Sequence, residues 1–357
     1  MLCADARPVP RDKADVGELD GYDEIIDTRS PAEFAEDHIP GAINLPVLDD
    51  AERAQVGTLY KQVSAFDAKK LGAALVARNI ARHLDTHFTK QPKGYRPLIY
   101  CWRGGSRSGA MTHILRSVGW QAMQLTGGYK AFRTRVITDL ASLPEILNLK
   151  VVCGPTGVGK SRFLRALREA GAQVLDLEDL AAHMGSVLGA YPDRPQPPQK
   201  FFDSLIWEQL RRFDPSRVVF VESESKKIGN LHTPDALLAR MRAADCLNLQ
   251  AEIPLRVRLL KEEYAHFLAD SPPLLRQLDC LVNLRGSAQV ERWKALARLG
   301  EWDRLVTELL EIHYDPAYNH SLSKNYVHAP EAPVLELIDA APASFLDLAR
   351  QAVKQPP

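Results

Sequence analysis

Nothing in the 357-residue sequence offers a metal clip or a disulfide framework. The five cysteines (Cys3, Cys101, Cys153, Cys246 and Cys280) are odd in number, far apart and nowhere in CxxC spacing. No apolar run approaches the ~20 residues that cross a bilayer. The N-terminal stretch MLCADARPVPRDKAD lacks the apolar segment of a signal peptide. Net charge is missing as well: Lys and Arg total 45, as do Asp and Glu, which excludes bulk attraction to a polyanion or an anionic membrane. There are no repeats at solenoid periods. These absences predict a reduced, cytoplasmic protein with no membrane contact. What remains is ordinary for a globular chain, with 45% hydrophobic and 25% charged residues.

The zero balance hides a segregation. Residues 1–60 carry 5 basic and 14 acidic side chains, and residues 61–135 carry 14 basic and 2 acidic. A basic block of this kind is either a footprint for a polyanion or a set of solvated helix faces.

Along the chain, short apolar runs alternate with helical patterns, which predicts parallel sheets flanked by helices. Strands are expected at 22–27, 97–101 and 121–125, then at 149–153, 172–175 and 218–221. Helices are expected from Pro31, with Ser30 as N-cap, and through 51–91. The division is a leader over 1–21, an α/β domain over 22–140, a linker over 141–148 and a second α/β domain over 149–350 with extra C-terminal helices. The proline-dense stretch from Tyr191 reads as a surface loop or lid.

Residues 100–108 join a strand to a helix and hold Cys101. Gly104 and Gly105 let backbone N–H groups converge into an anion nest. Arg103, Arg107 and the helix dipole favour the thiolate over the thiol. Burial as an inert thiol is the plain alternative, and so polar a loop suits it poorly. With the segments 27–29 (DTR), 33–34 (EF), 38–46 (HIPGAINLP) and 125–129 (LTGGY), this loop resembles a rhodanese domain over about residues 20–138. The resemblance implies that Cys101 carries sulfur or selenium as a persulfide or perselenide. Common rhodanese loops place an Arg five residues after the Cys, whereas Arg107 is six after. The longer spacing is shared with rhodanese-like dual-specificity phosphatases, whose wider loop fits a phosphate. A phosphatase with a nucleotide-binding second domain is therefore the rival reading.

Residues 154–161 satisfy G-x4-G-K-[ST] between an apolar strand and a helix, the context that motif requires. Gly154, Thr156, Gly157 and Gly159 supply backbone that wraps a phosphate, Lys160 supplies charge, and Ser161 is a Mg2+ ligand candidate. Glu222 and Glu224 follow one strand, and Asp176 and Glu178 follow another, where a P-loop protein keeps an acidic base or metal partner. Asp176 and Glu222 are the candidates, with helix capping as the plain alternative.

Both domains, with the segments 173–178 (QVLDLE), 182–189 (AHMGSVLG), 198–204 (PQKFFDS), 221–229 (VESESKKIG) and 313–318 (HYDPAY), resemble the bacterial tRNA 2-selenouridine synthase family over nearly the whole chain. Met184 departs from that pattern, which has an Arg there. The resemblance implies S-geranylation of wobble 2-thiouridine in tRNA with geranyl diphosphate, then replacement by selenium from selenophosphate. An enzyme that produces selenophosphate is an implied partner. The P-loop would bind the diphosphate, and Arg103 and Arg107 would hold selenophosphate while Cys101 takes selenium. Lys69, Lys70, Arg78, Arg82, Lys226 and Lys227 are expected tRNA contacts, with Arg256 and Arg258 as further phosphate contacts. Trp102 either stacks on a base or prenyl chain, or packs. A non-catalytic RNA- or nucleotide-binding module is the third reading.

Overall fold

All four residues of the strand Pro97–Tyr100 are buried, although successive side chains of a strand face opposite ways. Both faces of its sheet are therefore covered, as parallel sheets require. The computed structural model describes residues 12–186 and 188–354 and divides between Asp139 and Leu140 into two units.

The first unit runs β1 (Lys13–Ala14), β2 (Glu24–Asp27), α1 (Pro31–Glu36), β3 (Ile43–Asn44), α2 (Asp50–Gln62), α3 (Ala65–Thr86), β4 (Pro97–Tyr100), α4 (Ser106–Val118), β5 (Met123–Leu125) and α5 (Gly128–Ile146), the last continuing past the division. Its sheet has the order β1-β5-β4-β2-β3 and is parallel throughout. α1 starts where Ser30 and Glu33 form a capping box and Pro31 occupies the first turn. The expected helical stretch 51–91 breaks at Ser64, whose Oγ caps α3 by accepting from the Asp67 N–H at 3.1 Å. Ile80, Ile99, Met111 and Leu115 fill the core.

Two expectations change here. Within the expected leader, Lys13 and Ala14 pair with Gln124 and Leu125 as an edge strand, and Val16–Gly21 is a 3-10 helix. A two-residue strand has no periodicity of its own to betray it; residues 1–11 of the leader, with Cys3, lie outside the described residues. The expected linker at 141–148 is the end of α5 and the start of the next strand. Pro144 sits inside that last turn, forfeiting one backbone hydrogen bond without ending the helix.

The second unit continues with β6 (Asn148–Cys153), α6 (Lys160–Glu169), β7 (Gln173–Leu175), α7 (Leu177–Leu180), α8 (Gln199–Leu210), β8 (Val218–Glu222), β9 (Lys227–Ile228), β10 (Leu231–His232), α9 (Asp235–Arg242), β11 (Asp245–Gln250) and α10 (Ile253–Glu263). Then come α11 (Ala265–Ala269), α12 (Ser271–Leu278), α13 (Val282–Arg285), α14 (Ser287–Leu299), α15 (Trp302–Leu309), α16 (Asp315–Asn325), β12 (Val334–Glu336) and α17 (Pro342–Lys354). Its main sheet is parallel in the order β12-β11-β6-β8-β7. The chain leaves β6 toward β7 on one side and later crosses to β11 on the other. Ligand crevices open at the carboxyl ends of strands at such a switch. Phe163, Leu164 and Leu167 of α6 pack with Phe345 and Ala349 of α17. A second core, around Trp293, joins α12, α14 and α15. α15 passes into α16 through a π-helical turn, Leu310–Tyr314, closed by the Asp315 N–H on the Leu310 carbonyl. Among the described residues no helix is long and apolar enough to cross a membrane.

Candidate functional site

In the first unit the chain turns from β4 into α4 through the Cys101 loop. The Cys101 thiol is buried and its Sγ accepts from the Gly105 N–H at 3.3 Å and from Ser108 Oγ at 3.1 Å. Burial pushes the thiol up, but the Ser108 hydroxyl and amide, the Arg107 charge and the Gly105 N–H outweigh it and hold it below the ordinary thiol value. The loop is seated on the turn after β5. Tyr129 N–H donates to the Cys101 carbonyl at 2.8 Å, and Lys130 N–H to that of Trp102 at 3.0 Å. Gly128, at φ +57, makes this seat possible, since a Cβ there would run into the Cys101 carbonyl.

The two arginines of the loop part company. Arg107 approaches Cys101 but is engaged by Glu33, Nη1 to Oε2 at 3.0 Å. Arg103 is exposed and lines an open groove of about 680 Å3 with Lys130 and Arg135. Trp102 is 39% exposed, its ring tilted against Tyr129 with centroids 5.2 Å apart, so one ring both packs and faces solvent.

The four basic candidates of α3 are all exposed. At 3.6 residues per turn, they fan over roughly 220° of the helix circumference. Lys70 is held by Asp67 at 2.7 Å and Arg82 by Asn79 Oδ1 at 2.6 Å. Lys69 and Arg78 make no ion pair among the described residues.

In the second unit the phosphate loop leaves β6 and enters α6 at Lys160. Gly159 caps α6 at φ +84, and a Cβ there would stand 2.9 Å from the Phe345 ring. Lys160 Nζ donates to the Gly154 carbonyl at 2.9 Å, folded back over its own loop. Ser161 Oγ donates to Glu178 Oε2 at 2.9 Å, and the Gly154 N–H donates to the Tyr318 hydroxyl at 2.6 Å. A polar cavity of about 360 Å3 opens over Thr156, Lys160 and Ser161, with Glu178, Glu224 and Tyr318 in its wall. Met184 also lines it, an apolar side chain in an otherwise polar stretch of the wall.

The carboxylates divide differently from the expectation. Asp176 caps α7, its Oδ1 accepting from the Asp179 N–H at 2.9 Å, and is absent from the cavity wall. Glu222 lies fully buried behind the wall; its Oε1 accepts from the Glu178 N–H at 2.8 Å while Oε2 has no hydrogen-bond partner. Glu178 and Glu224 reach the cavity, joined there by Glu263 of α10. Alternation along a strand end cannot say which of two nearby acids turns outward, so only packing reveals it.

Arg256 is neither a solvated charge nor positioned as a phosphate contact. It is buried, bonded to the Thr156 carbonyl and the Asp315 carboxylate. Arg258 is exposed and paired with Glu262, and Lys226 with Asp235. Lys227 is exposed on a groove it shares with Arg194 and Asn230. One feature had no sequence signal at all. A narrow apolar recess of about 70 Å3 shares Thr156, Leu260 and Tyr264 with the polar cavity and is walled by Phe267, Trp302 and Leu309. Its residues come from loops and helices scattered over 156–314, so no local motif marks it. Among the described residues no group of three or more His, Cys, Asp or Glu is placed to hold a metal ion.

A family model described as the tRNA 2-selenouridine synthase AAA domain matches residues 147–272, and one described as a rhodanese-like domain matches residues 12–135. A curated protein of Nitrosomonas europaea named tRNA 2-selenouridine synthase is 35% identical over 244 residues, 67% of this chain and 63% of that protein. The chain thus spans less than two thirds of that relative. A protein of the same name from Shewanella halifaxensis is 32% identical over 337 residues, 84% of this chain and 89% of that protein. A third, from Alcanivorax borkumensis, is 31% identical over 336 residues, 84% of this chain and 90% of that protein. A solved rhodanese-related protein from Thermoplasma volcanium aligns at 15% identity and a TM-score of 0.23, over 34% of this chain and 91% of that one.

Proposed function

The chain belongs to the tRNA 2-selenouridine synthase family, and from that premise we propose that it replaces the sulfur of wobble 2-thiouridine in tRNA by selenium in two steps. In the first, the thiocarbonyl sulfur attacks the prenyl carbon of geranyl diphosphate. The C–S bond forms as the C–O bond to diphosphate breaks, and the base gives up its N3 proton. Lys160 and the N–H groups of the phosphate loop take the charge that develops on the leaving diphosphate. Alkylation turns a poor leaving group into a good one. In the second step the Cys101 thiolate attacks the phosphorus of selenophosphate; the S–P bond forms as the P–Se bond breaks. The selenide released adds to C2 of the base and expels the geranylthiolate, while water hydrolyses the phosphocysteine to phosphate and the free thiol. The loop N–H groups and Arg107 would seat the selenophosphate oxygens, with Arg103 meeting the anion at the rim.

The observation that carries this reading is the apolar recess at the shoulder of the phosphate loop. A polar cradle opening onto a hydrocarbon-lined slot suits a diphosphate with an aliphatic tail, because each half of that ligand is desolvated against its own kind. The donor set also fits Mg2+, which takes one or two protein oxygens and draws the rest from phosphate and water. Ser161 Oγ and Glu178 would hold the ion, which when bound would neutralise diphosphate charge. Lys69 and Arg78 on α3, with Lys227 in the second unit, are the tRNA contacts we favour, being free of ion pairs among the described residues.

The test is nucleoside mass spectrometry of 2-thiouridine tRNA incubated with the protein. Geranyl diphosphate alone should yield the S-geranyl nucleoside, and added selenophosphate should convert it to 2-selenouridine. Selenation that proceeds equally without geranyl diphosphate, or a requirement for ATP in its place, overturns the reading.

A further inference from the structure

Gln124 is a polar side chain at a buried position of β5, in register with Lys13 of β1 and Ile99 of β4. An amide withdrawn from water is costly unless its groups are bonded. Its Nε2 donates to the Gly105 carbonyl at 3.0 Å and to Ser108 Oγ at 2.8 Å. The carbonyl decides which end of the amide points into the loop, since a C=O can only accept. Ser108 Oγ therefore accepts a hydrogen bond from Gln124 and has its own hydroxyl hydrogen to place. Two acceptors are in reach: the Gly105 carbonyl at 3.4 Å, already bonded by Gln124, and Cys101 Sγ at 3.1 Å.

We infer that Gln124 is a positioning residue for Cys101, turning the Ser108 hydroxyl into a donor aimed at the sulfur and so favouring the thiolate. Gln124 acts only through Ser108. With the amide in place, the hydroxyl has one direction left in which its proton is useful. Without it, the hydroxyl is free to donate to the Gly105 carbonyl and to offer the sulfur a lone pair. The inference goes beyond the proposed reaction and stands on the hydrogen-bond chain alone, whatever group the sulfur carries.

The pH profile of Cys101 alkylation by iodoacetamide tests it, read by mass spectrometry on the Cys101 peptide so that the exposed Cys280 does not contribute. Ser108→Ala should raise the midpoint of the profile by roughly one pH unit, the size expected when a thiolate loses one donor. Gln124→Met, similar in length and without a donor, should raise it by a comparable amount. The double variant should move no further than Ser108→Ala alone, because the amide has nothing left to aim. An unmoved midpoint in Gln124→Met, or shifts that add in the double variant, overturns the inference. Gln124→Glu is the second probe should the methionine variant fail to fold. Its carboxylate would accept the Ser108 proton and add like charge near the sulfur, raising the midpoint at least as far; no rise would sink the idea equally.

Discussion

Arg256 clamps the carbonyl of Thr156, donating to it from Nε at 2.9 Å and from Nη2 at 2.7 Å, while its outer edge grips the Asp315 carboxylate. One buried guanidinium thereby ties α10 and α16 to the phosphate loop. Arg256→Met should leave the carbonyl and the carboxylate unpaired, at a cost of about 3 kcal/mol. On a unit of this size that corresponds to a fall in unfolding temperature on the order of 6–12 °C. Geranyl diphosphate should also protect the variant less against heat. Arg258→Met, which removes an exposed charge on the same helix, is the control. Equal melting temperatures in the two variants would refute the clamp.

Cys101→Ser should abolish selenium incorporation, because an alcohol does not ionise near neutral pH and cannot attack the phosphorus of selenophosphate as the thiolate does. Geranylation should persist, since the diphosphate cradle belongs to the other unit. Nucleoside analysis of the product tRNA separates the two steps. Loss of both products from a folded variant would end the division of labour.

Lys160→Ala should do the converse. Removing one charge-assisted hydrogen bond typically costs about 1.5–3 kcal/mol, which is roughly ten- to a hundredfold in binding and prenyl transfer. Calorimetric titration with geranyl diphosphate and with ATP distinguishes the ligands. Unchanged prenyl diphosphate binding alongside lost ATP binding would reassign the loop to a nucleotide.

Burial, with the Asp176, Glu178 and Glu224 carboxylates nearby, pushes Glu222 well above the ordinary carboxylate range. The folded protein therefore holds this proton more tightly than the unfolded chain does. Its contribution to stability is fully present below the unfolded value near 4.5 and is lost as the pH rises through the folded one. Glu222→Gln keeps the acceptor for the Glu178 N–H and removes the titration. The variant should gain stability over the parent as pH rises from 5 to 8, with the gain vanishing at acid pH. Thermal melts across that series decide it, and a difference independent of pH would contradict the account.

Neutralising Lys69, Lys70, Arg78 and Arg82 together should weaken tRNA binding and flatten its salt dependence by up to ~0.9 log units for each phosphate left without its cation. Because Lys70 and Arg82 already have partners, Lys69→Gln with Arg78→Gln should account for most of the change. Fluorescence anisotropy over a salt series reads the slope. An unchanged slope in the quadruple variant would move the tRNA site to the other unit.

The central strands β4 and β6 were legible because each is a short apolar run bounded by turn residues, and the phosphate loop because its spacing is a backbone requirement. The low thiol of Cys101 was legible from the polarity of its loop, but its source was not. Counting guanidinium groups pointed to Arg103 and Arg107, whereas a hydroxyl seven positions on supplies the direct bond. Arg256 was illegible in another way. Its two anchors lie 100 and 59 residues away, and a lone arginine on a helix gives no sign of either. Asp176, two residues before Glu178 and three before the Asp179 amide it caps, fits a capping pattern that the lure of an acid after a strand concealed.

The π-helical turn between α15 and α16 sets a limit on how the chain can change length. Upstream of it, Leu305 and Leu309 are committed to the helical core; downstream, Asp315 meets Arg256 and Tyr318 meets the Gly154 amide. A π turn closes an i→i+5 bond and takes about one residue more than an α turn, so deleting a single residue there would relax it to ordinary α-helix and leave everything beyond it on nearly the same face. The same deletion inside α15 would swing everything beyond it by about 100°. After a deletion in α15, Asp315 and Tyr318 would leave the phosphate loop together. Single-residue deletions should thus be tolerated within Leu310–Tyr314 yet be lost from Trp302–Leu309, an asymmetry that a deletion scan scored by growth or by fold would expose as one permissive turn beside a gap-free helix.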